Sequence, residues 1–214
     1  MILATDDTPI NGRLVDLEGK PLAGVSVRVE NIMAAKNEDL DPWLAALERG
    51  QIFWEAINEY GAKRGPYSPP GFAKDFKTDS DGNFSITGVG KDRWINVTLE
   101  GPTIAYTRAT IVTRKMKSIV ANDGVPNPEW SRKYTVHGAD CVIAVPPTQP
   151  VTGIVKDAKT GEPMPDVAIE SYRMTERGMS AGREIRVKTD EDGRYTLTGL
   201  PKGCLLYTSD AADE

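Results

Sequence analysis

Residues 78–88 read TDSDGNFSITG, and residues 189–199 read TDEDGRYTLTG. In both, the first aspartate can accept hydrogen bonds from nearby backbone amides, and the glycine can take the positive φ angle that closes a hairpin. Apolar and polar residues then alternate as in a strand, so that Phe84 or Tyr195 points inward. We call each of these segments a turn motif, because the pattern predicts a tight turn that leads into a strand.

The turn motif also has some features of a calcium-binding loop. Asp79, Asp81 and Asn83 alternate as oxygen ligands do in an EF-hand, but that loop needs glycine at its sixth position and a later glutamate. Here Gly82 stands at the fourth position, and Arg194 replaces Asn83 in the second motif. The sequence therefore favours a turn over a metal site, with Asp79, Asp81 and Asn83 as the candidate ligands should one exist.

Matching segments surround both turn motifs. GRLVD at residues 12–16 corresponds to GIVKD at 153–157, and VSVRV at 25–29 corresponds to VAIE at 167–170. The offset between the copies falls from 141 to 111 residues, so the first copy carries about thirty extra residues. Alternating apolar residues in these segments predict short strands, and short strands at this spacing are typical of a β-sandwich.

The extra residues, at about 31–75, predict two short helices packed on one side of the first sandwich. Asp41 is expected to cap the first helix, Pro42 to take its first position and Gly50 to end it. Gly61 is expected to end the second helix. The apolar stripes of the two helices are Leu40, Trp43, Leu44 and Leu47, followed by Phe53, Ile57 and Tyr60.

Both copies resemble the carboxypeptidase regulatory-like domain, a seven-stranded, transthyretin-like β-sandwich close to the Cna-B and starch-binding-like folds. Residues 9–29 with 78–90, and residues 151–171 with 189–203, carry the resemblance through their glycine, proline and T-D-x-D-G-x-[FY] pattern. It implies an all-β, Greek-key sandwich with a short helical insertion, followed by a truncated second copy. The insertion and VHGAD at 136–140 are similar to a variant found in large envelope proteins of planctomycete-type bacteria.

The resemblance divides the chain into a complete sandwich at residues 1–146 and an incomplete one at 147–203. In the first copy, residues 93–99 and 104–113 supply strands after the turn motif, whereas the second copy has no such strands before residue 204. An incomplete sandwich leaves apolar faces and strand edges uncovered. We therefore expect residues 147–203 to be only marginally stable alone.

Residues 204–214, CLLYTSDAADE, resemble the translated read-through of a sequencing adapter, and we expect this tail to be artefactual. Without its three acids the formal net charge changes from −5 to −2. A nearly neutral chain does not favour binding to nucleic acid or to an acidic membrane surface, and no apolar run of about 18 residues spans a membrane. Without Cys204, Cys141 is the single cysteine, so no disulfide forms within residues 1–203.

The single histidine, His137, limits the catalytic alternatives. Intradiol dioxygenases share this sandwich core and a similar turn motif, and they hold iron with two tyrosines and two histidines. The first copy does not contain the second histidine. We therefore expect no catalytic residues and no cofactor, and we interpret His137 as a strand-end or turn residue.

Aromatic side chains provide candidates for ligand binding, because tryptophan and tyrosine stack on sugars in starch-binding modules. Trp43 lies in an apolar helical stripe and is expected to be buried. Trp54 lies beside Phe53 rather than in its stripe, and Trp130 lies in the loop segment VPNPEWSRK. Trp54 and Trp130 are therefore the candidate ligand-binding residues.

The sequence predicts a non-catalytic pair of β-sandwich modules, acting as a structural spacer or protein-interaction region of a larger extracytoplasmic bacterial protein. Its partners would be other domains of the parent chain and a protein or glycan ligand. One alternative is a carbohydrate-binding, starch-binding-like module. Another is the accessory region of an enzyme whose catalytic domain lies outside this sequence. The envelope, periplasmic or secreted location is implied by the resemblance alone.

Overall fold

The computed structural model describes residues 8–64, 76–126, 133–171, 174–175, 178–179 and 185–201. They belong to two units, one within Met1–Gly101 and Thr107–Val145 and the other within Pro102–Tyr106 and Pro146–Glu214. The fold is an all-β, Greek-key sandwich with a short helical insertion, as predicted. Among the described residues, no helix is long and apolar enough to cross a membrane. The tail at 204–214 lies outside them, and the division at residue 146 stays a prediction.

The described part of the first unit has ten strands and two helices, more than the seven strands that the resemblance implies. The additional strands include β3, which follows the helices, and β8, which forms the opposite edge of the larger sheet. The strands are β1 (Ile10–Val15), β2 (Ser26–Ala35), β3 (Gly61–Arg64), β4 (Phe76–Lys77), β5 (Asn83–Ile86), β6 (Arg93–Glu100), β7 (Thr107–Val112), β8 (Ile119–Asn122), β9 (Lys133–His137) and β10 (Asp140–Ala144). The helices are α1 (Asp41–Glu48) and α2 (Phe53–Tyr60), preceded by a 3-10 turn at Lys36–Glu38.

Two sheets form the sandwich of the first unit. The smaller sheet has the order β10-β1-β5, with β1 parallel to β10 and antiparallel to β5. The larger sheet has the order β3-β2-β6-β7-β9-β8, and β4 pairs with β2 beside it. The predicted alternation is confirmed in β2 and around β10, where Val27, Val29, Ile143 and Val145 are buried, and β1 buries Ile10 and Leu14 in the same way. Strand β6 departs from the predicted alternation, because it is buried on both faces at Trp94, Ile95, Val97, Thr98 and Leu99.

Strand β2 extends further than the sequence predicts. Its register with β6 shifts between Val29 and Asn31, so Glu30 is the extra residue of a β-bulge. The strand then continues to Ala35, where the helical insertion was expected to have begun at residue 31. Met33, opposite Trp94, is buried in the cluster that contains the helices. One long strand therefore contributes to the sandwich core and also to the base of the insertion.

Helices α1 and α2 pack on the outer face of the larger sheet through a cluster of apolar side chains. Trp43 is fully buried, as predicted, and its ring stacks on that of Trp94 with centroids 4.6 Å apart. The other fully or nearly fully buried members are Met33, Ala35, Leu40, Leu44, Ala46, Leu47, Phe53, Ala56, Val112, Ala121 and Val136. This second core explains why a β-sandwich accommodates an insertion of this length.

The predicted cap of α1 is wrong. Asp41 is the first helical residue, and the residue before it, Leu40, makes no side-chain cap. Instead, Asp39 Oδ1 accepts the backbone N–H of Asp41 at 2.9 Å, which leaves the Asp41 carboxylate free to pair with Arg114. The predicted end is confirmed, since Gly50 has φ +85° and donates to the Leu47 carbonyl at 2.9 Å.

The described part of the second unit consists of three antiparallel strand pairs. They are β11 (Val151–Ile154) with β16 (Arg194–Leu197), β12 (Ala168–Ser171) with β15 (Ile185–Lys188), and β13 (Met174–Thr175) with β14 (Gly178–Met179).

Pro102–Tyr106 also belongs to the second unit, although the sequence predicted a strand of the first copy from residue 104. Tyr106 N–H donates to the Gly199 carbonyl at 2.9 Å, and Ala105 N–H donates to the Pro146 carbonyl at 2.9 Å. These partners occupy the backbone before Thr107, so strand β7 begins only there.

Candidate functional site

The first turn motif is held together by one carboxylate. Asp79 Oδ1 accepts the backbone N–H groups of Asp81 at 2.9 Å and Asn83 at 2.8 Å. Its Oδ2 accepts the Asn83 side-chain amide at 3.3 Å, and Gly82 closes the turn with φ +78°. The backbone hydrogen bond from Asn83 is the main reason that the pKa of Asp79 lies below its ordinary value. Both oxygen atoms of the Asp79 carboxylate therefore accept hydrogen bonds within the turn.

Thr78, the first residue of the motif, fixes the turn to the loop between β1 and β2. Its hydroxyl donates to the Leu22 carbonyl at 2.6 Å and accepts the Val25 backbone N–H at 2.9 Å. Thr78 is only 5% exposed, so both backbone groups depend on it for a partner. Sequence reasoning assigned no role to this threonine, although its recurrence as Thr189 was the available signal.

The second turn motif repeats this network. Asp190 Oδ1 accepts the backbone N–H groups of Asp192 at 3.0 Å and Arg194 at 2.8 Å. Thr189 donates to the Met164 carbonyl at 2.7 Å and accepts the Val167 N–H at 2.9 Å. Arg194 thus performs the backbone role of Asn83 with a side chain that is unsuited to bind a cation. The two motifs therefore form the same kind of turn.

Each motif also places an aromatic ring across a glycine of the neighbouring strand. Gly12 pairs with Phe84, and a Cβ atom at Gly12 would lie 2.1 Å from the Phe84 ring. Gly153 pairs with Tyr195, where the same atom would lie 2.5 Å from the tyrosine hydroxyl. The glycine that opens each copy and the aromatic residue that follows each turn are therefore one structural pair.

A shallow groove of about 400 Å³ lies beside the first turn motif. Arg13 on its wall donates from Nε to the Asp81 carbonyl at 3.0 Å. The groove brings together polar groups of opposite charge, which suits a weak polar contact better than a closed reaction chamber. Its lining residues are Asn11, Gly12, Arg13, Lys77, Asp79, Asn83, Phe84, Ser85 and Cys141.

Of the candidate metal ligands, Asp79 and Asn83 line this groove, whereas Asp81 lies on the turn. Within the described ranges, no group of three or more His, Cys, Asp or Glu side chains is arranged to hold a metal ion. Cys141 is half-buried, and burial raises the pKa of its thiol to about 11. Such a thiol stays protonated and is a poor nucleophile near neutral pH.

His137 is the last residue of β9, in agreement with its interpretation as a strand-end residue. Its Nδ1 lies 3.2 Å from the Ser118 hydroxyl. Burial lowers the pKa of the imidazole, so the ring is neutral at pH 7. The pair is suited to a neutral hydrogen bond at the end of the larger sheet.

The structure describes one of the two candidate ligand-binding tryptophans. Trp54 is half-buried, with its ring packed edge-on against Phe53 at 5.1 Å and Tyr134 at 5.8 Å between centroids. Tyr134 lies eighty positions away in the sequence, so the residues next to Trp54 do not indicate this contact. Trp130 lies outside the described residues.

No protein-family model and no curated protein matches the chain. Solved structures resemble it remotely. The Bacillus anthracis TIE protein is 11% identical with a TM-score of 0.30, over 90% of this chain and 26% of its own. The 3-chlorocatechol 1,2-dioxygenase of Rhodococcus opacus 1CP is 12% identical with a TM-score of 0.31, over 66% and 60%. The shaft pilin SpaA of Lactobacillus rhamnosus GG is 13% identical with a TM-score of 0.26, over 91% and 83%.

This chain thus spans about a quarter of the TIE protein and three fifths of the dioxygenase. With TM-scores below 0.5, these similarities carry no argument about function.

Proposed function

We propose that this protein is a structural, non-catalytic pair of β-sandwich modules. The observation that carries the proposal is the duplicated network of the turn motifs. Thr78 and Asp79 in the first copy, and Thr189 and Asp190 in the second, bind corresponding backbone groups at nearly the same distances. Asp79 and Asn83, two of the three side chains that the sequence offered as metal ligands, support the proposal because they bond to each other and to the backbone of the turn.

The helical insertion supports the same proposal. Arg114, in the segment after β7, pairs with Asp41 on α1 and with Asp92 in the loop before β6. Burial lowers the pKa of Arg114, but its hydrogen bonds to Asp92 and Asp41 together outweigh burial, so the pKa lies above its ordinary value. A charged residue that joins three segments stabilises their arrangement, which is a structural role.

The cellular role of the proposed modules is that of a spacer or protein-interaction region in a larger extracytoplasmic bacterial protein. The support for this part is the resemblance of both copies to regulatory-like domains, which occur as modules of larger chains. The proposed partners are neighbouring domains of the parent chain, with a protein or glycan ligand as a further possibility.

A glycan array and a thermal-shift titration test the proposal on the full chain. The expected results are no specific glycan signal and no change in Tm on adding CaCl2 to about 5 mM, above the dissociation constants of weak extracellular calcium modules. Specific glycan binding that is lost in Trp130→Ala or Trp54→Ala would instead establish a carbohydrate-binding module. A calcium-dependent rise in Tm that is lost in Asp81→Asn would establish a metal site. Lys133→Ala, an exposed change next to the Trp130 loop, is the matched control for the tryptophan variants.

A further inference from the structure

In the described part of the first unit, the strand nearest the start, β1, is paired in parallel with the strand nearest the end, β10. The register extends over five residue pairs. Backbone hydrogen bonds continue the ladder at both ends, from Asn11 N–H to the Ala139 carbonyl at 2.8 Å and from Val145 N–H to the Val15 carbonyl at 2.8 Å. The strands that lie nearest the two ends of the described part of this unit are therefore joined directly.

This arrangement determines how the unit responds to tension. The chain enters β1 at Ile10 and leaves β10 at Ala144, and these residues lie at opposite ends of the strand pair because the strands are parallel. Tension along the chain pulls the two strands in opposite directions along their axes. The hydrogen bonds between them are then loaded together rather than one after another. We propose that β1 and β10 form a shear clamp through which the first unit bears tension in the parent chain.

Buried side chains prevent the clamp from sliding. Ile10 and Leu14 of β1 are fully buried, and Ile143 of β10 is 5% exposed. A slip by one residue would turn these side chains toward solvent, and a slip by two would move each into a neighbour's place. The Phe84 ring over Gly12 also obstructs the movement of β1, because any other residue of that strand would bring a Cβ atom into the ring.

Polar side chains link the same strands on the exposed face. Ser85 Oγ donates to Asn11 Oδ1 at 3.1 Å, and Asn11 Nδ2 donates to Asp140 Oδ1 at 3.5 Å. Asp140 Oδ2 in turn pairs with Lys115 Nζ at 3.0 Å. This series joins β5, β1 and β10 to the segment after β7. Because the groups are exposed, we expect it to add little to the strength of the clamp.

The antiparallel pair β1–β5 provides an internal contrast. Ile10 lies opposite Ile86, so Pro9 and Thr87 lie at the same end of that pair. Tension between Pro9 and Thr87 therefore opens the pair one hydrogen bond at a time. Pro9, Thr87 and Ala144 are all exposed, so handles can be attached to each of them.

The test is single-molecule pulling on the full chain, with handles on bio-orthogonal amino acids. One variant carries them at positions 9 and 144, which loads the clamp in shear, and the other at positions 9 and 87, which unzips β1 from β5. At the same pulling speed, we expect the first rupture in shear to need at least about twice the force of the first rupture in unzipping. The reason is that several hydrogen bonds share the load in shear. Equal rupture forces would overturn the shear clamp. Both variants must unfold at the same urea concentration as the unlabelled chain, which shows that the handles leave the fold intact.

The clamp deepens the proposed structural function, and the two fail in different ways. Equal rupture forces in a chain without glycan or calcium binding would remove the clamp and leave the structural proposal standing. A clear force contrast in a chain with specific glycan binding would retain the clamp and change the proposed function. As a second readout, Asp140→Ala is expected to lower the shear force slightly and to leave the unzipping force unchanged.

Discussion

Leu14 and Val27 of the first copy are fully buried, whereas their counterparts Val155 and Ile169 in the second copy are half-exposed. The turn motifs of the two copies show no such difference, since Thr78 and Thr189 are each 5% exposed and make equivalent hydrogen bonds. The repeat therefore preserves its turns while its strands differ in how completely they are covered.

The sheets explain this difference. In the first copy β2 pairs along its length with β6, and β6 pairs with β7. In the described part of the second unit, β12 pairs with β15 alone. The hydrogen bonds of a turn motif need only the loop between two strands, whereas burial needs further strands across the sheet. Turn geometry and core formation are thus separable properties of this repeat.

Core truncations give the largest expected contrast between the copies. Leu14→Ala should lower the free energy of unfolding of the first unit by about 2–5 kcal/mol, because it leaves a cavity in a closed core. Val155→Ala should cost about 1 kcal/mol or less, since that side chain is already half-exposed. Urea unfolding followed by hydrogen exchange of β1 and β11 measures the two effects separately. Equal losses would show that the second copy has a core as closed as the first.

The glycine–aromatic pairs of the two copies can be compared by adding one methyl group to each glycine. Gly12→Ala should cost about 1–3 kcal/mol, because the new methyl group meets a buried Phe84 ring. Gly153→Ala should cost less, since Tyr195 is half-exposed and can move aside. The measurement is the urea midpoint of each variant, with hydrogen exchange in β5 and β16 to locate the loss. A larger effect at Gly153 would contradict the difference in burial.

The threonines should respond alike, because their networks are alike. Thr78→Val and Thr189→Val keep the shape of the side chain but leave a backbone N–H and a carbonyl without their partner, at about 1–3 kcal/mol each. Hydrogen exchange of the Val25 and Val167 amides provides the readout, and both should lose protection. Retained protection at either amide would show that its turn does not depend on the hydroxyl.

The smallest expected effect is a change in acid sensitivity. The folded state lowers the pKa of Asp79, so this carboxylate adds stability above its unfolded pKa of about 4 and loses that contribution as the pH falls through the folded value. As the pH is lowered below about 4, the Asp79→Asn variant should therefore lose stability less steeply than the parent chain. Thermal unfolding from pH 2.5 to pH 6 checks this. Asp81→Asn, next to it on the exposed turn, serves as control and should follow the parent chain.

The sequence predicts local features well where they depend on a few neighbouring residues. The turn at Gly82, the end of α1 at Gly50 and the inward direction of Phe84 each follow from short-range backbone preference or alternation. The reason for Gly12 could not be predicted, because it requires the register that brings Phe84 opposite a residue 72 positions earlier.

The features that the sequence did not indicate also depend on distant partners. Trp54 packs against Tyr134, a contact that its neighbours in the sequence do not indicate. The predicted strand at residue 104 begins three residues later because Ala105 and Tyr106 bond to residues of the second unit. The bulge at Glu30 interrupts no obvious pattern in the sequence, so the extension of β2 to Ala35 was not foreseen.

The stacked indoles of Trp43 and Trp94 give the molecule an optical asymmetry. Two rings with centroids 4.6 Å apart couple their excited states, which produces an exciton couplet in circular dichroism. Trp54 lies in the same cluster, and residues 146–214 contain no tryptophan. Tryptophan emission therefore reports on the first unit and not on residues 146–214, whose aromatic emission comes from tyrosines such as Tyr195. In a single unlabelled sample, a loss of far-ultraviolet circular dichroism that precedes the change in tryptophan emission would show that the second unit loses its structure first.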